Sequence, residues 1–562
     1  MVLAADATAA DVLIVDAARL LPLQAKLAFG PAQLGVAATE LRQLHTQSQA
    51  WRDVVALVAA DVAAVQAADP TAGVGMRYSH RLFDVRWLQS ADARLELVAV
   101  ALRLDRRPFD PSHCGELRAI YRLAYRTVAR GQATASRLPM TVNAVRYLDG
   151  DCRAIARSRG SDGVAMAVAN WPRLTAKAIE LNVQTVRWPS TVRPDLGGHA
   201  EYALRVLQAN GDHLVPSPME NQPDVAKIAG DPMLRALLSA WLRLPATPTA
   251  IDSGVAMTPQ ALWATAASSF APRGLMRGPN RPWQQLLSPA DVAILGGGDA
   301  TLGQTRLRRL DQHSCTGCHH SKSIAGFHLP GATLAGADLV TGRLAVAFSP
   351  HVAAELGRRQ AHALALAAGQ TPSDARPPPE APRIADQAQH GDHCGLVLEK
   401  GWQCARGLVC TLVDDPEVGV CLPAQPGIGD PCQPGAVVAS KRPGAEKVLN
   451  VKTLDCGKGY CESSRVGFPG GLCAASCSVE AGAAYPCAGI PGIVAFNACL
   501  ARSKAFDTCA TTALRPARLR ACDASRPCRD DYACMAASTT VSVCMPPYFL
   551  QELRLDGHPR PR

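Results

Sequence analysis

The sequence predicts a multidomain α+β chain, and three observations predict it: its length, a change of residue pattern along it, and an uneven distribution of cysteine. At 562 residues the chain exceeds what one hydrophobic core organises. Hydrophobic content of 48% with 19% charged residues points to packed globular structure rather than wholesale disorder. Of the 20 cysteines, Cys114, Cys152, Cys315 and Cys318 precede position 390, and the other 16 fall between Cys394 and Cys544. The expected parts are a helical N-terminal segment over 1–75 and a β-rich α+β domain over 76–245. A mainly helical segment over 246–370, a Pro-rich linker over 371–383 and small disulfide-rich modules over 384–562 follow.

The helical segment is read from the 51–68 stretch, where Val54, Leu57, Val58, Val62 and Val65 recur at helical spacing. The next domain is read from runs dense in β-branched and aromatic residues at 94–103, 116–125, 140–147 and 179–188. Asp110-Pro111-Ser112 marks a turn between the first two, so a hairpin is expected. Cys114 and Cys152 flank these strands and are candidates to pair, or else two buried thiols. Gly197-Gly198 precedes a stretch from His199 that reads as a helix. In the third part a helix is expected to start at Pro350, with Ser349 as its N-cap, and to end at Gly369. The linker is the run TPSDARPPPEAPR, which lacks any apolar period.

The cysteine-rich part repeats internally. Cys404, Cys410 and Cys421 precede Leu422-Pro423, and Cys528, Cys534 and Cys544 precede Met545-Pro546; Cys456, Cys461 and Cys473 make a looser third copy. Units this small bury too little apolar surface to fold on a core alone, so cross-links are expected to replace it. Such a density of thiols suits an oxidising compartment: periplasm, cell surface or medium. The N-terminus carries no basic leader pattern, since Asp6, Asp11 and Asp16 precede Arg19, so a start upstream of Met1 is expected. No run is long and apolar enough to span a bilayer. The net charge of +10 suits an acidic protein partner or an anionic envelope surface; no aromatic-interleaved basic stripe suggests nucleic acid.

The stretch that carries chemistry is DQHSCTGCHHSKSIAGFHLPG, residues 311–331. Cys315-Thr-Gly-Cys318-His319 places two thiols on one helical turn with an imidazole next to them. Two such thiols can each add to a vinyl group of one porphyrin, and the imidazole then meets the iron. A redox disulfide is the second reading of the same residues. A zinc site drawing on His313, His319, His320 and His328 is the third, and a structural disulfide the fourth. No Walker loop, HExxH or GxSxG is present, and Gly296-Gly297-Gly298-Asp299 reads as a loop.

The motif resembles that of c-type cytochrome domains. It also resembles exported bacterial Cys-rich proteins with no assigned reaction, in which CxxCH is followed by a Phe-His element, here Phe327-His328. The runs around 95–105 and 114–125 are similar to stretches of the same proteins. The resemblance implies one covalent haem c, with Cys315 and Cys318 as thioether sites and His319 as proximal iron ligand; 246–370 is then the haem segment. It departs from the common monohaem pattern, because no Met lies between His319 and Met535. His328 is the candidate distal ligand: nine residues downstream, it can reach about 30 Å, ample to round a ring about 13 Å across. His351 is the next candidate, and an open iron site would imply peroxidase-like chemistry instead. Arg306, Arg308, Arg309 and Lys322 are candidates for haem propionates or an acidic redox partner, or form a solvated basic face.

Overall fold

The computed structural model describes residues 12–376 apart from 70–71, 75–79, 130–131, 158–163, 165–166, 189–198, 272–279 and 323–349; beyond 376 it describes only short stretches. The described chain is mixed α/β and is centred on a largely antiparallel sheet.

The sheet grows from long hairpins. Strand β1 is Leu13–Ile14, β2 Ala72–Gly73, β3 His80–Leu82, β4 Ala93–Arg103, β5 Glu116–Ala129, β6 Gln132–Tyr147, β7 Ala176–Trp188, β8 His199–Asn210, β9 His213–Ser217 and β10 Ala267–Ala271. The path runs β1-β4-β5-β6-β7-β3-β2, and β8 pairs with β7, β9 and β10. The four strands expected from the sequence are therefore present, each longer than its β-rich run. The predicted β4–β5 hairpin forms, with Ala93 opposite Tyr125 and Arg103 opposite Glu116. The helix expected from His199 is instead strand β8. Its Ala, Leu and Glu content favours a helix locally, but pairing with β7 on one side and with β9 and β10 on the other satisfies its backbone, and tertiary context overrides propensity.

The helix Gln49–Ala68 covers the sheet. Ser48 caps it by accepting a hydrogen bond from the Trp51 N–H, and Trp51, Val54, Val55, Val58, Val62 and Val65 form its buried stripe. Asp61, which interrupts the apolar run in sequence, pairs with Arg205 of β8. Trp51 Nε1 donates to the Leu88 carbonyl at 2.9 Å, and Tyr121 OH donates to the Leu27 carbonyl at 2.7 Å, so the buried polar ends of these rings are satisfied. One buried cluster joins these helices to the strands, and takes in Ala363, Leu366 and Ala367 from the helix Pro350–Ala368. That helix lies where the sequence places it, and ends at Gly369 with φ +78°. Cys114 and Cys152 form a disulfide closing 38 residues, as the sequence suggested; a loop of that length contributes about 4 kcal/mol by chain entropy.

A second cluster gathers helices between 225 and 313. It includes Ile228, Leu238, Trp241, Trp283, Leu295, Leu307 and Leu310. Helices Pro289–Gly296 and Ala300–His313 pack closely where Gly303 meets the Val292 carbonyl; a Cβ there would lie 2.3 Å from that oxygen. In the cysteine-rich part the described pieces include one three-stranded antiparallel sheet and two strand pairs. Cys410 lies opposite Cys421, Cys461 opposite Cys473, and Cys534 opposite Cys544. All three repeat units thus place their second and third cysteines across one antiparallel ladder. Cys404 and Cys410 are each in a disulfide.

Candidate functional site

The CxxCH motif forms the helix Cys315–Lys322, and a sharp corner sets its direction. Helix Ala300–His313 ends at Ser314, which also begins the next helix. The Ser314 hydroxyl donates to the Asp311 carbonyl at 2.6 Å and accepts from the Gly317 N–H at 3.0 Å. The Asp311 carboxylate accepts from the Trp283 N–H at 2.7 Å, which ties the corner to the second core. Gly317 touches the Asp311 carbonyl so closely that a Cβ would lie 2.1 Å from it. The residue before Cys318 has to be glycine for the two helices to meet at this angle.

The corner presses the motif onto residues far away in sequence. Thr316 N–H donates to Gln222 Oε1 at 3.0 Å, and the Thr316 carbonyl accepts from the Ser269 hydroxyl of β10 at 3.2 Å. The Cys315 thiol donates to the Glu220 carbonyl at 3.5 Å and packs with Leu204, Met219 and Ala264. The 219–222 loop that receives it is pinned by Asn221, held at φ +59°. The Asn221 Nδ2 donates to the Ala256 carbonyl at 2.8 Å, and its Oδ1 accepts from the Thr258 N–H at 2.8 Å.

Behind Glu220 lies a network of charge at the end of β5. Glu220 pairs with Arg106. Arg106 approaches Glu116 at 3.6 Å, and Glu116 is 2.6 Å from both Arg118 and Lys177. Arg118 reaches Glu180 at 3.0 Å, and Asn143 donates to the same carboxylate at 2.6 Å. Burial alone would raise the Glu116 carboxyl, but Arg118, Arg106 and Lys177 outweigh it and hold the group well below the usual carboxylate range. For Cys315 burial and the neighbouring negative groups outweigh Arg106. Burial first, then Glu220, Cys318 and Glu180, push its thiol well above the ordinary range.

Cys315 and Cys318 are unpaired thiols, whereas Cys114–Cys152 is closed and Cys404 and Cys410 are cross-linked. The helix brings Cys315, Cys318 and the backbone of His319 onto one turn. The side chain of His319, and His328 altogether, lie outside the described residues. Arg306 and Arg309 are turned to another task. Both bind Asp252, at 2.7 and 2.8 Å, and Arg306 also donates to the Leu295 carbonyl at 2.6 Å. They join helix Thr247–Asp252 to helix Ala300–His313 rather than offering charge to a ligand. Sequence reasoning missed Glu220, Gln222 and Ser269; the one local sign was the polar run Glu220-Asn221-Gln222 between two prolines, Pro218 and Pro223. Among the described residues no helix is long and apolar enough to cross a membrane, and no group of three or more His, Cys, Asp or Glu side chains is placed to hold a metal ion. Comparison with protein-family models, curated proteins and solved structures finds no match.

Proposed function

We propose that this chain is an exported, c-type cytochrome-like protein that carries one covalent haem on Cys315, Cys318 and His319 and transfers single electrons. In this reading His328 is the distal iron ligand, and a redox protein, acidic in character, is the partner of the basic chain. The sheet domain and the cysteine-rich modules fix its place in the envelope or outside the cell.

The observation that carries the reading is the contrast in sulfur chemistry. A chain in which Cys114, Cys152, Cys404 and Cys410 are cross-linked keeps two thiols unpaired, three positions apart on one helical turn, with a histidine directly after them. That donor set fits thioether attachment. Bound haem supplies a one-electron iron couple whose potential depends on axial ligands and burial. The chain's own residues set the frame: Ser314 and Gly317 aim the helix, Gln222 and Ser269 hold the Thr316 backbone, and Glu220 anchors the corner to the charged end of the sheet.

The test is a haem stain of a denaturing gel, run on full-length protein made with a cytochrome maturation system. A haem-positive band that disappears in Cys315→Ser is the expected result. Colourless protein with stoichiometric zinc, or with Cys315 and Cys318 joined to each other, defeats the reading. For stained protein, a reduced spectrum unchanged by carbon monoxide, and altered in His328→Ala, is the expected mark of closed bis-imidazole ligation.

A further inference from the structure

Three elements converge on a second charged cluster, which meets the first along the Arg103–Arg106 stretch. The end of β4 contributes Arg103 and the turn after it Asp105. The helix Pro350–Ala368 contributes Glu355, Arg358 and Arg359. The extended segment 371–376, part of the expected linker, is laid back onto the fold by a hydrogen bond from Arg376 N–H to the Ser253 carbonyl at 2.8 Å, and contributes Arg376.

The two carboxylates are heavily used. Asp105 accepts from Arg103 Nε at 2.8 Å and from Arg358 at 2.8 Å, and its side chain is 2% exposed. Glu355 accepts from Arg358 at 2.6 Å. Arg359 and Arg376 stand 3.7 Å from the same Glu355 oxygen, beyond hydrogen-bonding distance. Among the described residues four guanidiniums therefore face two carboxylates, which leaves two positive charges over. The Arg359 side chain is only 10% exposed, and the Nε of both Arg358 and Arg359 is buried with no hydrogen-bond partner. Burial first, then Arg103, bring the Arg359 guanidinium down to about 9. An uncompensated buried cation is costly, and a guanidinium with free N–H groups is a ready-made fork for an oxyanion. Arg376, a quarter exposed, is the most solvent-accessible of the four guanidiniums.

We propose that Arg358, Arg359 and Arg376, held by Asp105 and Glu355, form a binding site for a dianionic tetrahedral oxyanion of the phosphate type. The charge left over matches such an anion, and the unused N–H groups are its hydrogen-bond donors. The site is independent of haem. It would fasten the helix Pro350–Ala368 and the segment after it to the sheet when the anion is present.

The test is isothermal titration calorimetry of the full chain with inorganic phosphate and with methyl phosphate, at ionic strength matched with potassium chloride. Saturable one-site binding of phosphate is expected, with a melting temperature that rises as phosphate is added. Comparable binding of methyl phosphate assigns the site to a phosphate ester, and its failure assigns it to the free ion. Arg359→Gln and Arg376→Gln are each expected to weaken binding about tenfold or more, the loss of a charge-assisted contact. Arg94→Gln, on the exposed edge of β4, is expected to leave it unchanged. If Arg359→Gln does not fold, Arg376→Gln, at the more exposed position, carries the test. Absence of saturable binding, or equal affinity in wild type and both cluster variants, overturns the proposal.

Discussion

Two charge clusters share the Arg103–Arg106 turn, and they are built differently. In the first, Arg106, Arg118 and Lys177 meet Glu116, Glu180 and Glu220, one cation for each anion, with Glu116 2.6 Å from two of its partners. In the second, Arg103, Arg358, Arg359 and Arg376 share Asp105 and Glu355, and the outer two guanidiniums stand 3.7 Å off. The balanced cluster is complete without a ligand, and it supports the corner where Cys315 sits. Among the described residues the surplus cluster is incomplete by two negative charges. The first also has two carboxylates, Glu180 and Glu220, about a third exposed, whereas Asp105 and Glu355 of the second are almost fully buried, so its surplus charge has less solvent to screen it.

The largest effect is expected where balance is broken. Glu116→Gln leaves Arg106, Arg118 and Lys177 sharing one carboxylate fewer in a site where the Glu116 side chain is 2% exposed. Breaking a buried pair on one side costs about 3–5 kcal/mol. Urea unfolding should show that loss at unchanged slope; a loss under about 1 kcal/mol would mean the network is a solvated surface feature.

Acid separates the clusters next. Glu355 is held down to about 2, burial being outweighed by Arg358, Arg376 and Arg359, against 4.5 for a free glutamate. A depressed folded value means its stabilisation is complete above about pH 4.5 and is lost as pH falls toward 2. That is worth roughly 3 kcal/mol at the upper end of the window. Glu116 loses its share at still lower pH. Acid unfolding should therefore begin with loosening of the Pro350–Ala368 helix, seen as early hydrogen exchange there, while β5 stays protected. Simultaneous exchange in both regions would refute the ordering.

A smaller effect tests the corner that aims the motif. Gly317→Ala sets a methyl group against the Asp311 carbonyl, and relief of such overpacking costs about 1–3 kcal/mol. Haem yield, read from the stained band, should fall with it if the corner angle positions Cys315 and Cys318. Wild-type stability and yield would show that the two helices meet without that contact.

What the sequence disclosed follows from range. Strands β4, β5, β6 and β7 were legible because their β-branched and aromatic runs fit a pleated, mostly buried surface, and the Gln49–Ala68 helix because its valines repeat at one face. The Cys114–Cys152 pair was legible because the two cysteines flank the same strands. Strand β8 was not, since residues such as Ala203 and Leu204 suit a helix until β7 and β10 are beside them. Of the candidate site, Cys315, Cys318 and His319 were visible as a motif, while its cradle was not. Gln222 and Ser269 meet Thr316 across 94 and 47 residues, and no local pattern encodes such a contact. Arg306 and Arg309 look like available charge in a string of letters, and only the approach of Asp252 shows that they are already occupied. Both clusters are assembled from positions scattered between 103 and 376. Adjacent Arg358 and Arg359 inside an alanine-rich helix were the one local sign of the second.

The smallest expected effect is the most discriminating. Arg359→Met removes one surplus charge and keeps much of the side chain's bulk. In phosphate-free buffer it should change stability by no more than about 1 kcal/mol, and in the stabilising direction, since replacing an uncompensated buried ion with a packed apolar group is often neutral or favourable. The same exchange in the balanced cluster, Arg118→Met, removes a partner of both Glu116 and Glu180 and should be strongly destabilising. Thermal melts of the two variants side by side decide the matter. If both lose several degrees, Arg359 is an ordinary structural cation and the surplus is only apparent. If only Arg118→Met does, the second cluster tolerates losing a charge that the first cannot, as a site built to receive an anion must.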